Sequence, residues 1–194
     1  MKPHRETEVK LRVSNPRKLQ QRLKELGFRQ ITPRLWEHNS LFDFPDGRLA
    51  RSHQALRLRR VGNENFLTLK GPPQASTRYK MRGEIETRIQ EPQIFQKILH
   101  ELGLQETFQY KKRRTAYATD KSKSGKTGLL LYDETPVGKF VELEGPPHWI
   151  DCTARALGYR PEDYITASYV ALYRQGTSPA RRGSEQPKNP EKIS

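Results

Sequence analysis

The sequence predicts an α+β fold: many antiparallel strands, closed into a barrel or stacked as a sandwich, with a few helices packed outside. Three observations point there. Short segments of alternating apolar and polar residues fill most of the chain, separated by turn residues. Three of them carry Glu-x-Glu and lead into a helix ending in Leu-Gly: ETEVKLRV…ELGF, EIETRIQ…ELGL and, more weakly, ELEG…ALGY. Such repetition suits an architecture with internal pseudo-symmetry. Apolar content is only 33% and charged content 30%, so part of the interior is polar or part of the chain is disordered.

The elements follow in order. RETEVKLRV is a strand, with Thr7, Val9, Leu11 and Val13 on one face and Glu6, Glu8, Lys10 and Arg12 on the other. In SNPRKLQQRLKELGF, Ser14 or Asn15 caps a helix, Pro16 suits its first turn, and Leu19, Leu23 and Leu26 make the apolar stripe. Gly27 ends it. NSLFDF is a strand and PDGR a turn. ALRLRRV and FLTLK are strands around the turn GNEN, and RYKMRGEIETRI alternates again. EPQIFQKILHELGL repeats the helix, with Ile94, Ile98, Leu99 and Leu102 expected inward. QYKKRRTAYAT and GLLLYDE read as a hairpin around DKSKSGKT, and KFVELEG is the last clear strand. Short helices are expected around Ile150 to Leu157 and Tyr164 to Tyr173. Residues 1–175 form one domain, and residues 176–194 read as a disordered basic tail.

Net charge is +14, which points to an anionic partner: nucleic acid, nucleotide, polyphosphate or an acidic membrane surface. The single cysteine, Cys152, excludes an internal disulfide and fits a reducing cytoplasm. A buried, inert thiol is expected there. No stretch approaches the roughly 20 apolar residues of a membrane helix, and no signal peptide is visible.

The charged strand faces carry the chemistry. Arg57 and Arg59 oppose Leu56 and Leu58, and Thr68 and Lys70 oppose Leu67 and Leu69. Lys80, Arg82, Glu84, Glu86 and Arg88 oppose Met81, Ile85 and Ile89; Glu142 and Glu144 oppose Val141 and Leu143. For one strand, a solvated outer face is the ordinary explanation. Repeated Glu-x-Glu and Arg-x-Arg pairs need more, because adjacent like charges are unfavourable until something neutralises them. Paired carboxylates call for a hard cation such as Mg²⁺ or Mn²⁺. Arrays of Arg and Lys call for an anion, and the guanidinium fork matches phosphate. Both in one lumen describe a metal–polyphosphate site, with helices on the apolar outer face of a barrel.

Other motifs carry less. Gly125-Lys126-Thr127 ends like a P-loop, but the leading glycine is replaced by Asp120 and a strand follows where a helix is required. The five histidines show no metal spacing, and no nucleophile motif is visible.

These residues resemble the CYTH superfamily, the triphosphate tunnel metalloenzymes, which includes class IV adenylyl cyclases, thiamine triphosphatases and inorganic triphosphatases. Its E-x-E-x-K signature matches Glu6-Thr7-Glu8-Val9-Lys10. In family order follow Arg57-x-Arg59, Lys70 in TLKGP, Glu84-x-Glu86, a K-x-R in YKKRRTAY, and LYDETPVGKFVELEG. The resemblance covers residue 4 to about residue 173 and implies an eight-stranded antiparallel tunnel that binds triphosphate with divalent metal.

Carried over residue by residue, it implies that Glu6, Glu8, Glu142 and Glu144 are metal ligands, with Glu6, Glu8 and Lys10 at the catalytic centre. Lys10, Arg57, Arg59, Lys70, Arg82, Lys112 and Arg114 look like substrate-binding bases. Glu84 and Glu86 occupy the middle acidic strand. Either Lys112 and Arg114 or Lys111 and Arg113 face inward; the family's tyrosine after K-x-R, matched by Tyr117, selects the first pair. Asp133 and Glu134 serve the metals or shape the strand.

The function so implied is metal-dependent hydrolysis of tripolyphosphate or a small organic triphosphate. One alternative is a class IV adenylyl cyclase making cyclic AMP and pyrophosphate from ATP. YITASYVALY resembles the Ser-Tyr helix of cyclase-like members, but no adenine-recognition motif is legible. The other is a non-catalytic binder of polyphosphate or RNA, disfavoured because the basic strands lack an aromatic stacking pattern. No membrane or nucleic-acid partner is expected, and the sequence leaves monomer or homodimer open.

Overall fold

The computed structural model of the chain describes residues 4–76, 78–119 and 128–176. The DKSKSGKT turn and the expected tail beyond Gly176 lie outside the described residues. In chain order the elements are β1 (His4–Arg12), α1 (Pro16–Glu25), β2 (Arg29–Gln30), β3 (Leu35–Asp43), α2 (Arg48–Arg51), β4 (Ala55–Val61), β5 (Glu64–Lys70) and β6 (Lys80–Arg88). Then come α3 (Pro92–Glu101), β7 (Gln105–Ala118), β8 (Leu129–Thr135), β9 (Gly138–Glu144), α4 (Pro147–Ala156) and α5 (Tyr169–Gly176).

Eight strands close an antiparallel barrel in the order β7-β3-β4-β5-β6-β1-β9-β8, and a β7–β8 pairing completes the ring. The length of β7 makes closure work. Its first part pairs with β3, and its last part pairs with β8 from Arg113 to Tyr117. The short β2 continues the β3 edge of β7, with Arg29 opposite Ala118.

The sequence repeat has a structural meaning. The three Glu-x-Glu strands, β6, β1 and β9, lie side by side in the ring. Each leads into an outer helix, and each helix gives way to a glycine of positive φ, at Gly27, Gly103 and Gly158, where a Cβ would be strained. At the first helix the Asn15 side chain accepts from the Lys18 N–H at 3.0 Å.

The greasy layer sits outside the barrel. Val9, Leu11, Val141 and Leu143 pack against Leu19 and Leu23 of α1 and Ile150 and Ala154 of α4. Phe42 and Leu58 pack against Leu99 of α3, with Leu104 beside them. Burying each such side chain stabilises the fold by about 1.5–3 kcal/mol. Tyr169 and Leu172 of α5 pack with Tyr110 and Phe140. Among the described residues no helix is long and apolar enough to cross a membrane.

Several expectations are corrected. The third strand begins at Leu35, four residues before NSLFDF, because Leu35 to His38 lack the alternation that marks a strand. The PDGR turn opens a short helix, α2. On α3 only Leu99 of the expected inward set is buried; Ile94, Ile98 and Leu102 are exposed. The helix turns Pro92, Phe95 and Leu99 to the barrel instead. The last helix starts at Tyr169 and not at Tyr164, because Ile165 bridges to Lys10 in extended form. Cys152 is exposed on α4, with its Sγ 3.6 Å from His148 Nε2. Ile150 and Ala154 take the buried face of that helix.

Candidate functional site

Alternation fixes what the lumen contains. With the apolar residues of each strand turned to the outer helices, the residues between them turn inward. They enclose a cavity of about 1530 Å³ that Glu6, Glu8, Lys10, Arg57, Arg59 and Lys70 all line. Lys80, Arg82, Glu84 and Glu86 of β6 line it too, as do Lys112, Arg114, Glu142 and Glu144. Asp133 is fully buried behind Lys112 and Arg114.

Three carboxylates converge. Oxygens of Glu6, Glu8 and Glu144 all lie within 4.8 Å of one another. Glu8 stands directly opposite Glu144 in the β1–β9 ladder, and Glu6 is two residues along β1. Loss of water in the lumen pushes the Glu6 carboxyl up to about 8, helped by its hydrogen bond with Glu84 and the Glu8 charge. Desolvation likewise pushes Glu144 up to about 7, with Glu142 and Glu8 adding repulsion. Glu8 behaves oppositely: burial works against its charge, but Lys10 and Lys80 outweigh burial and hold it well below the usual range. Three crowded carboxylates, two of them resisting ionisation, form an all-oxygen donor set suited to a hard divalent cation.

The fourth acid, Glu142, is engaged elsewhere. It lies 2.9 Å from Lys10 and 3.8 Å from Lys112, and it contacts Arg114. Lys10 also holds Glu8 at 3.1 Å. Lys70 bridges Glu6, at 3.2 Å, and Glu84. Lys80 contacts Glu8, and desolvation together with Lys10 pulls its ammonium down to about 8.

Bases of β4, β6 and β7 share the same lumen. Arg59 lies 3.2 Å from Glu86 and 3.6 Å from Glu37, with its guanidinium over Phe66. Arg57 reaches Thr68 at 3.3 Å and Glu86 at 3.7 Å. The Nε atoms of Arg57, Arg59 and Arg82 are buried and lack hydrogen-bond partners among the described residues. Lys112 meets Asp133 at 2.9 Å and Glu37 at 3.5 Å. Arg114 holds both oxygens of Asp133, at 2.7 and 2.6 Å. Lys112 and Arg114 are thus the inward pair, while Lys111 is exposed and Arg113 lies over the outward Trp36. Asp133 orients bases.

Sequence reasoning missed Glu37, which precedes the expected strand NSLFDF, and Asn39, the first residue of that strand, which was assigned no role. Glu37 is buried among Lys112, Arg114 and Arg59. Asn39 is 1% exposed, and neither side-chain polar atom has a partner among the described residues. Its ladder neighbours, Arg59 and Tyr110, both line the cavity. From α5, Tyr169 donates to Asp133 at 2.6 Å, with the Lys112 ammonium 4.5 Å from its ring centre.

A closed antiparallel tunnel, apolar outside and charged within, defines the class of protein. The CYTH domain family model matches residues 4–169, and the chain belongs to that family. A provisionally named adenylate cyclase of Methanocaldococcus jannaschii is 30% identical over 139 residues, covering 72% of this chain and 75% of that protein. Among solved structures, a Pyrococcus horikoshii protein shares 26% identity at a TM-score of 0.72, covering 88% of this chain and 98% of its own. A Hippeastrum protein, provisionally named an adenylyl cyclase and described as having a dominant triphosphatase activity, aligns at a TM-score of 0.64. It is 23% identical, covers 91% of this chain and 99% of its own, and shows likeness of fold.

Proposed function

We propose that the chain is a divalent-metal-dependent triphosphatase acting on tripolyphosphate or a small organic triphosphate. One observation carries this reading: the Glu6–Glu8–Glu144 cluster shares a lumen with Arg57, Arg59 and Arg82, whose Nε atoms are buried and have no hydrogen-bond partner among the described residues. A cation site and an anion site in one cavity suit a metal–polyphosphate complex.

Glu6, Glu8 and Glu144 would hold Mg²⁺ or Mn²⁺. When bound, such an ion neutralises phosphoryl oxygens and eases ionisation of water. The chain's own residues do the rest. Arg57, Arg59 and Arg82 present donors to the phosphate oxygens and fix the substrate along the tunnel. Lys70 and Lys80, each already on a carboxylate, exchange that contact for phosphate oxygens as substrate enters. Lys10, clamped between Glu8 and Glu142, keeps the Glu8 oxygens aimed into the cavity. Asp133 and Glu37 set the directions of Lys112 and Arg114. Transfer of the terminal phosphoryl group to water gives inorganic phosphate and a chain shorter by one phosphate.

A second reading, cyclisation of ATP, is favoured by the name of the Methanocaldococcus jannaschii relative. One assay separates the two. The protein is incubated with Mg²⁺ or Mn²⁺ and either tripolyphosphate or ATP, and scored for phosphate against cyclic AMP plus pyrophosphate. Phosphate release that disappears in Glu6→Gln is expected. Cyclic AMP as the main product would replace the first reading with the second, and no product from either substrate would sink both.

A further inference from the structure

The chain's formal charge of +14 is not explained by the tunnel. The strand residues that face the lumen include as many carboxylates as bases. The positive excess therefore belongs to the rest of the chain.

The excess is spread over the chain's outer residues, but one outer face holds several bases without a carboxylate partner among the described residues. The helices cover the apolar outer faces of β1, β9 and β5 and, at Phe42 and Leu58, one end of β3 and β4. Beyond that end the outward residues of β7, β3 and β4 are of another kind. Arg113 stands opposite Trp36, and Lys111 opposite His38, which stands opposite Arg60 of β4. Among the described residues, Lys111, Arg113 and Arg60 have no carboxylate ion pair; Arg60 contacts the Gln96 amide at 3.3 Å. The acid across from Arg113, Glu134 of β8, is taken up by Arg34 at 2.6 Å. Lys139 of β9 stands opposite that acid. His38 adds little charge, because burial together with Lys111 and Arg60 lowers its proton affinity.

Two further features lie on this face. Trp36 is 48% exposed, and the Arg113 guanidinium lies 4.5 Å from its ring centre. Alongside, a shallow groove of about 300 Å³ is lined by Gln20, Gln30, Arg34, Tyr132 and Lys139, among others. Bases ranked across neighbouring strands favour a polyanion, whose phosphates would relieve their repulsion. An exposed indole backed by a guanidinium offers a stacking platform for a base. Amide and phenol groups in the groove can meet base edges. An exposed ring can stack only a base that is free of its own stack, so a single strand with splayed bases fits this face better than a duplex.

We propose that the outer face of β7, β3 and β4 docks single-stranded nucleic acid, with Lys111, Arg113 and Arg60 on phosphates and Trp36 stacking a base. This surface is independent of the tunnel reading. The sequence could not reveal it, because Trp36 and Arg113 meet only across a ladder.

The test uses the full chain and a fluorescein-labelled single-stranded oligouridylate of about ten nucleotides. Anisotropy is read at several salt concentrations. Lys111→Gln combined with Arg113→Gln is expected to weaken binding about tenfold and to lower the salt slope by about 1.4. Trp36→Ala is expected to weaken it about tenfold. Arg57→Ala, in the lumen, is expected to leave it unchanged. Thermal unfolding of each variant confirms the fold. Wild-type affinity in both outer-face variants overturns the proposal, and so does loss of binding in the lumen variant. A Trp36→Ala protein that binds normally while the charge variant fails points to polyphosphate instead. Binding to phosphatidylserine vesicles but not to the oligonucleotide points to a membrane. Either outcome also overturns it.

Discussion

Lys10 Nζ lies 2.9 Å from a Glu142 oxygen, directly across the β1–β9 ladder, and both side chains are almost completely buried. The same ammonium holds Glu8. One lysine thus compensates two carboxylates inside the barrel. Lys10→Met removes one cation from two buried acids but leaves Lys80 on Glu8, and Lys112 and Arg114 on Glu142. A loss of about 1.5–3 kcal/mol in urea unfolding is expected. An unchanged midpoint would mean that water, and not Lys10, solvates these acids.

Glu37 makes the acid limb of stability informative. Burial raises its carboxyl, but Lys112, Arg114 and Arg59 outweigh burial and hold it at about 2. A group depressed in the fold stabilises it above the unfolded pKa, near 4.5, and loses that contribution as pH falls toward about 2. The contribution is roughly 3 kcal/mol at neutral pH. Glu37→Gln should therefore be less stable at pH 7 and show a flatter decline between those limits. Parallel curves for the two proteins would contradict it.

How far the sequence reached depends on the kind of pattern. Glu6, Glu8, Lys10, Arg57, Arg59 and Lys70 sit on strands whose alternate residues are apolar, so their facing could be read directly. β3 lacks that contrast: both of its faces carry polar residues from Glu37 to Ser40, and Glu37 and Asn39 went unseen. The apolar arc of α3 is wider than the strip the barrel covers, with Ile94 and Ile98 toward one edge and Phe95 and Leu99 toward the other, so periodicity alone does not say which edge is buried. The third limit is cross-strand geometry. Nothing local says that Glu8 meets Glu144, or that Glu142 is the acid claimed by Lys10.

Asn39 should reveal a conflict between stability and binding. Its buried amide lacks partners among the described residues, which costs about 1–3 kcal/mol for each unmet group. Asn39→Leu should raise the thermal midpoint of the ligand-free protein while raising KM for the triphosphate. A lower thermal midpoint with an unchanged KM would assign Asn39 a structural role only.

Tyr169 should act through Asp133. Tyr169→Phe removes a 2.6 Å bond but leaves Lys112 and Arg114 on the same carboxylate. A modest loss of about 1.5 kcal/mol is expected by denaturant unfolding. A collapse of the fold would mean that α5 depends on that hydroxyl far more than the remaining contacts suggest.

The central claim is that three inward carboxylates form one cation site. Calorimetric titration with Mn²⁺, on wild type, Glu6→Gln, Glu144→Gln and the outward control Glu134→Gln, tests it most directly. One site per chain, lost in the two lumen variants and kept in the control, is the expected result. Equal Mn²⁺ affinity in all four proteins would show that the metal, if it binds, sits elsewhere.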